Sequence, residues 1–109
     1  MTLEQLGNLL ESVPGFSGRV AYRSFPVGEA PGLPFVCYLQ TGANTMPADD
    51  RIYYSSPTVD VELYTALKSP ETEAQIEAAL ATAGIVWTRD QDEWLNSERC
   101  LMIVYHLTL

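Results

Sequence analysis

The last ten residues, CLMIVYHLTL, narrow the possible folds more than any other segment. Read as a strand, they put Leu101, Ile103, Tyr105, Leu107 and Leu109 on one face. Cys100, Met102, Val104 and His106 fall on the other. A strand that is apolar on both faces needs cover on both, so it belongs in the middle of a sheet. Phe35 to Thr41 has the same character, with Phe35, Cys37 and Leu39 on one side and Val36 and Tyr38 on the other. Thr58 to Thr65 instead alternates. Val59, Val61 and Leu63 point inward, while Asp60, Glu62 and Tyr64 point outward.

Two helices are predicted around these strands. Thr2 to Val13 carries Leu3, Leu6, Leu10 and Val13 at three- and four-residue steps, widened by Leu9. Thr2 and Gln5 have capping-box spacing, Gly7 weakens the helix interior, and Pro14-Gly15 ends it. The second helix starts at Ser69 as N-cap with Pro70 in the first turn, and Gly84 closes it. Its buried stripe is Ile76, Ala79, Leu80 and Ala83.

The intervening segments read as short strands and loops. Arg19 to Phe25 is a strand, and FPVGEAPGLP (25–34) is a stiff loop in which an X-Pro bond can be cis. Gly42 to Asp50 reads as a polar loop. Arg51 to Tyr54 is extended, Ser55-Ser56-Pro57 interrupts it, Ile85 to Thr88 is a strand, and 89–93 is a turn. The expectation is one α+β domain over 1–109. It has a mainly antiparallel sheet of four to five strands and two helices packed on one face.

The chain has 109 residues, 47% of them hydrophobic, enough for one real core. Its net charge of −8 argues against a duplex-DNA or anionic-membrane binder, though not against a protein past which DNA must slide. No apolar run is long enough to span a bilayer, and Met1 to Leu10 lacks the basic residue of a secretory signal. Cys37 and Cys100 sit in apolar stretches and read as buried thiols in a reducing compartment, with a cross-strand disulfide as the lesser alternative.

Chemical motifs are sparse. GxSxG, phosphate-binding glycine loops, CxxC and EF-hand spacing are all absent. No catalytic residue, cofactor or metal is expected. An enzyme would have to draw on Asp60, Glu62 and His106, and nothing in the spacing sets the lone histidine beside the two carboxylates. The carboxylates Asp49-Asp50 and Asp90-Asp92-Glu93 read as solvated surface. Five of the six basic residues are Arg, which forms planar two-point pairs with carboxylates. Tyr and Trp are abundant without interleaved bases, which suits an interface better than a single-strand nucleic-acid surface. The candidate oligomer-interface residues are Arg23, Tyr38, Arg51, Asp60, Glu62, Tyr64 and Arg99.

Three stretches together resemble a family of phage and prophage tail proteins: 19–38, 59–80 and 84–109. The marks are Phe25-Pro26, Ala30-Pro31-Gly32-Leu33-Pro34, Asn44 to Tyr53, Val61 to Thr65, and Glu93-Trp94 with Ser97-Glu98. The chain is similar in this respect to siphophage tail terminators, also called tail-completion or tail-to-head joining proteins. The resemblance implies an α+β subunit of a virion tail, assembled in the bacterial host cytoplasm into a homo-oligomeric ring, typically a hexamer. It implies a tail-tube protein and a head connector as partners, passing DNA that is not bound specifically, and no membrane. The alternatives are a head-completion or neck connector protein, or a minor capsid protein. Segment 42–57 is expected to be mobile alone and ordered against a neighbour or the tube.

Overall fold

The computed structural model describes residues 1–48 and 52–109. In chain order the elements are α1 (Leu3–Glu11), β1 (Val20–Tyr22), β2 (Phe35–Ala48), β3 (Ile52–Thr65), α2 (Pro70–Thr82), β4 (Val86–Arg89), β5 (Glu93–Leu95) and β6 (Cys100–Thr108). The doubly apolar β6 is internal, as its pattern requires. The sheet order is β1-β2-β3-β6-β4, and β5 also pairs with β6. All pairings are antiparallel except β1 with β2. This is an α+β architecture.

Among the described residues the strand count is six, not four to five. The extra strand is β5, which the sequence reading did not separate from its neighbours. Arg99 takes a left-handed φ of 52° and turns the chain, so Leu95 comes to lie opposite Cys100. The longest strands are β2 and β3, with 14 residues each, and β6 has 9.

The expected polar loop at 42–50 and the interruption at 55–57 are also corrected. β2 runs on to Ala48 and pairs with β3 back to Ile52. Pro57 does not break β3. Its carbonyl accepts from the Leu109 amide, on the β6 side, at 2.9 Å. A residue's N and C=O point the same way from a strand, so the missing N–H of Pro57 faces away from β2 and costs that ladder nothing. The irregularity lies on the partner strand, as a register shift between Gln40 and Gly42. β6 pairs with β3 only from Thr58 to Thr65, and β1 with β2 only over 36–38. Beyond these limits β2 and β3 continue as a two-stranded ribbon, and the long axis reaches 50 Å.

One buried cluster holds the elements together. Leu6 and Leu10 of α1 and Ile76 and Leu80 of α2 join Val36, Val59, Val61, Leu63, Ile103, Tyr105 and Leu107. The cross-strand partners Val59–Leu107, Val61–Tyr105 and Leu63–Ile103 supply its centre. Each such side chain contributes roughly 1.5–3 kcal/mol on burial. Both helix starts follow the sequence. Thr2 Oγ1 accepts from the Gln5 amide at 3.1 Å, and Gln5 Oε1 accepts from the Thr2 amide at 2.9 Å. Ser69 accepts from the Thr72 amide, and Gly84 lies at φ 75° past the last turn. The Leu33–Pro34 bond is cis.

A polar tie accompanies the core. Glu73, buried in the first turn of α2, accepts from Arg89 and Lys68, each at 2.9 Å. Arg89 also reaches Glu77 at 3.1 Å, and the Tyr105 hydroxyl donates to Glu77 at 2.8 Å. Asp92 closes the network on Lys68 at 2.7 Å. These carboxylates raise the pKa values of both cations, with the Asp92 contact leading at Lys68 and the Glu73 contact at Arg89. Positions 73, 76 and 80 share one helical face, so Glu73 is buried in line with Ile76 and Leu80, beyond the stripe predicted from sequence.

Gly7 answers to a neighbour as well as to its helix. A Cβ at this position would meet the Tyr38 hydroxyl oxygen at 2.5 Å. Alanine normally gains about 1 kcal/mol over glycine inside a helix. Here Gly7→Ala is expected to destabilise the chain by about 1 kcal/mol, because the Tyr38 ring must move. In a Tyr38→Phe background the same substitution becomes neutral or stabilising. Urea unfolding of the four variants in this cycle measures the coupling.

Candidate functional site

Alternation leaves a second face on the sheet, opposite the buried cluster. Direct cross-strand partners share a face, so the register defines it. Phe35, Tyr64 and Met102 form one row; Cys37, Glu62 and Val104 the next; Leu39, Asp60 and His106 a third. Most of these side chains are only half-buried, and His106 is exposed. The face therefore combines apolar surface with carboxylates, as the outward phase of TVDVELYT predicted.

At one end an aromatic row spans the sheet. Phe35 stacks on Tyr64 with ring centres 4.9 Å apart, and Phe25 meets Phe35 edge-on at 5.4 Å. The Tyr64 hydroxyl donates to Glu62 Oε1 at 2.9 Å. Burial, and then this bond to a carboxylate, push the Tyr64 phenol well above its ordinary pKa. Beside the row lies a groove of about 500 Å³, lined by Phe25, Phe35, Cys37, Tyr64 and Leu95 and rimmed by Arg23 and Glu98. Cys37 is a buried free thiol pushed up to about 11, by desolvation first and Glu62 second, so it is a poor nucleophile. Cys100 is also free and buried. β3 lies between the strands that carry the two cysteines, so they do not occupy adjacent strands.

At the other end the sheet places His106 directly opposite Asp60. Its Nδ1 lies 2.7 Å from Asp60 Oδ1, and its Nε2 lies 3.0 Å from Asp90 Oδ2. The sequence reading put Asp60 and Glu62 on one face but had no means of placing the histidine. What it lacked was the β3–β6 register. Both ring nitrogens are engaged, so the ring acts as a bridge between carboxylates. A general base would need one nitrogen turned toward a substrate proton. Thr41, Thr58, Thr88 and Trp87 line a shallow depression around the bridge. Among the described residues no group of three or more His, Cys, Asp or Glu is arranged to hold a metal ion. Among them too, no helix is long and apolar enough to cross a membrane.

The other candidates are dispersed. Tyr38 sits on the core face, half-buried against α1 and edge-on to Tyr22 at 5.2 Å. Arg23 ends β1 at a left-handed φ of 68°, and Arg99 precedes β6 at 52°. Such values are uncommon outside glycine and cost roughly 1–2 kcal/mol each. Arg51 lies outside the described residues, as do Asp49 and Asp50. The aromatic row, the groove and the histidine bridge bring Asp60, Glu62, Tyr64 and Arg23 onto one surface. No family model matches the chain, and no curated protein matches it.

The histidine bridge has a pH signature. The Asp60 contact, then the Asp90 contact, raise the His106 pKa above its ordinary value near 6.5. A group whose pKa is raised on folding stabilises the fold fully below its unfolded pKa. That contribution fades as pH rises through the folded value. The side chain is 43% exposed, so solvent screening holds the effect below about 1 kcal/mol. Urea midpoints are expected to fall between pH 6 and pH 9 in the native chain. In His106→Gln that part of the pH dependence disappears, and NMR titration of the imidazole reads the shift directly.

Proposed function

We propose that the chain is a structural subunit that self-associates into a ring, typically of six, at the head-proximal end of a siphophage tail tube. There it ends tube growth and joins tail to head. The observation that carries this reading is the second face of the sheet: aromatic, aliphatic and carboxylate groups in one half-exposed surface, with a groove across it. A surface of this composition is completed by protein more readily than by water. The likeness to tail terminators supplies the kind of assembly.

In this reading α1 and α2 cover one face of the sheet, and neighbours use the rest. Arg23, Tyr38, Arg51, Asp60, Glu62, Tyr64 and Arg99 are the candidate contact residues. Arginines are drawn to the seams between subunits. Carboxylates repeated around the lumen repel DNA, which passes without binding. The partners are the tail-tube protein and the head connector. The reading assigns no reaction, cofactor or metal to the chain, and it places assembly in the host cytoplasm.

Light scattering after size exclusion, alone and with tail-tube protein, tests it. The expected result is a mass several times the 12.1 kDa of one chain, with rings at tube ends in electron micrographs. Removing the protein from an assembling phage should yield overlong tubes. A chain that stays monomeric even with the tube protein overturns the reading. Tubes of normal length on unsealed heads would move the assignment to a neck connector.

A further inference from the structure

His106 is the single histidine of the chain, and both of its ring nitrogens lie on carboxylates. Nδ1 is 2.7 Å from Asp60 Oδ1, and Nε2 is 3.0 Å from Asp90 Oδ2. An ionised carboxylate can only accept hydrogen bonds. The imidazolium has two N–H donors, whereas the neutral ring has one donor and one bare lone pair. The bridge as it stands therefore needs the charged ring. Once the ring loses a proton, one nitrogen sets its lone pair against a carboxylate oxygen, and that contact has nothing left to hold it.

The two carboxylates are held differently. Asp60 lies inside β3, directly opposite His106 on one side and Leu39 of β2 on the other, and its side chain is 24% exposed. Asp90 follows β4, in a connection to β5 that has no helix or strand structure, and its side chain is 63% exposed. Two ties hold Asp90. Its amide donates to the Val104 carbonyl at 3.0 Å, and its carboxylate meets His106. The charged groups nearby are engaged elsewhere. On β3, Glu62 accepts from Tyr64 and neighbours Cys37 of β2. On β4, Arg89 is tied to Glu73 and Glu77 of α2 and reaches Asp92, and Lys68 is tied to Glu73 and Asp92. On β5, Glu93 sits opposite Met102, two rungs along the same face from His106. Among the described residues no other cation pairs with Asp60 or Asp90 and could replace the imidazolium.

We propose that His106 is a proton-operated latch: charged, it clasps the β4–β5 connection to the sheet through Asp90; neutral, it keeps Asp60 and lets Asp90 go. Asp60 is the partner retained because its contact is shorter, its side chain is less exposed and the β3–β6 ladder fixes its position. The hydrogen bond made by one ring nitrogen decides which nitrogen keeps the proton. The open latch therefore carries Nδ1–H on Asp60. Its bare Nε2 lies beside the depression of about 270 Å³ formed with Thr41, Thr58, Trp87 and Thr88. The two carboxylates raise the His106 pKa, Asp60 first, so the latch is closed in acid and opens as pH rises through the folded value. It needs no second copy, so it stands or falls separately from the ring reading.

Proton–nitrogen NMR of the full labelled chain tests it, and a single histidine gives a single set of ring signals. Below the titration both nitrogens are expected to carry protons. Above it the ring is expected as the Nδ1–H tautomer, the reverse of the Nε2–H form that free histidine favours in water. Backbone order parameters at Asp90 and Gln91 should fall from about 0.85 toward about 0.6 with the same midpoint, while those of residues 59–63 stay level. Asp60→Asn reverses the choice. Asp90 is then the only acceptor-only partner, and the neutral ring is expected as Nε2–H. Asp90→Asn removes the release, because the new amide donates to the bare Nε2 and residues 90 and 91 stay ordered through the titration. Asparagine keeps the shape of aspartate, and the exposed position of Asp90 makes its variant the safer of the two for folding. A native ring that is Nε2–H above its titration overturns the latch. So do order parameters at residues 90 and 91 that do not change through it, or a fall in Asp90→Asn as large as in the native chain.

Discussion

The ladder between β3 and β6 is the contact on which the rest of this structure depends. It joins residues 58–65 to 101–108, with partners 36 to 50 positions apart. Its inward phase brings Val59, Val61 and Leu63 against Leu107, Tyr105 and Ile103, the centre of the buried cluster. Its outward phase sets Asp60 against His106 and Glu62 against Val104. A slip of one residue would send the aliphatic groups to solvent and the carboxylates into the core. The three inward pairs bury six large side chains, each worth roughly 1.5–3 kcal/mol. The exposed Asp60–His106 contact is worth less than about 1 kcal/mol. Aliphatic burial therefore sets the register, and the histidine bridge is a result of it.

That order of strengths explains the asymmetry between the two faces. The core face is saturated with aliphatic contacts and has its own polar tie through Glu73, Arg89 and Glu77. The second face has no comparable filling, so its aromatic row and carboxylates stay half-exposed. The edges extend the same contrast. β6 is flanked on both sides, while β1 and β4 are short and open. Among the described residues the exposed large apolar side chains include Tyr22 of β1, Val86 of β4 and Trp94 of β5.

Much of this was legible from residue order alone, because local physics governs it. The capping pair Thr2 and Gln5, the Ser69-Pro70 start, the Gly84 stop and the alternation of TVDVELYT each depend on neighbours a few positions away. The two-sided apolar character of the last segment placed it inside the sheet, and β6 is there. Where the reading erred, long-range partners decided. Gly42 to Ala48 looks like a loop by composition, yet it pairs because Ile52 to Thr58 lies opposite it. Pro57 looks like an interruption, but its missing N–H faces the end of β6 and leaves the β2 ladder intact. The three-residue β5 has no pattern of its own and forms because Arg99 turns it onto β6.

The sequence by itself determined which side chains alternate, where the helices start and stop, and that a strongly acidic chain carries few free bases. Periodicity and capping act over one or two turns and can be read without a partner. Only the tertiary structure decided which strands meet. With them it decided the Asp60–His106–Asp90 bridge and the groove rimmed by Arg23. Those features join residues tens of positions apart. Their distances follow from the one register in which the core's aliphatic groups all find cover.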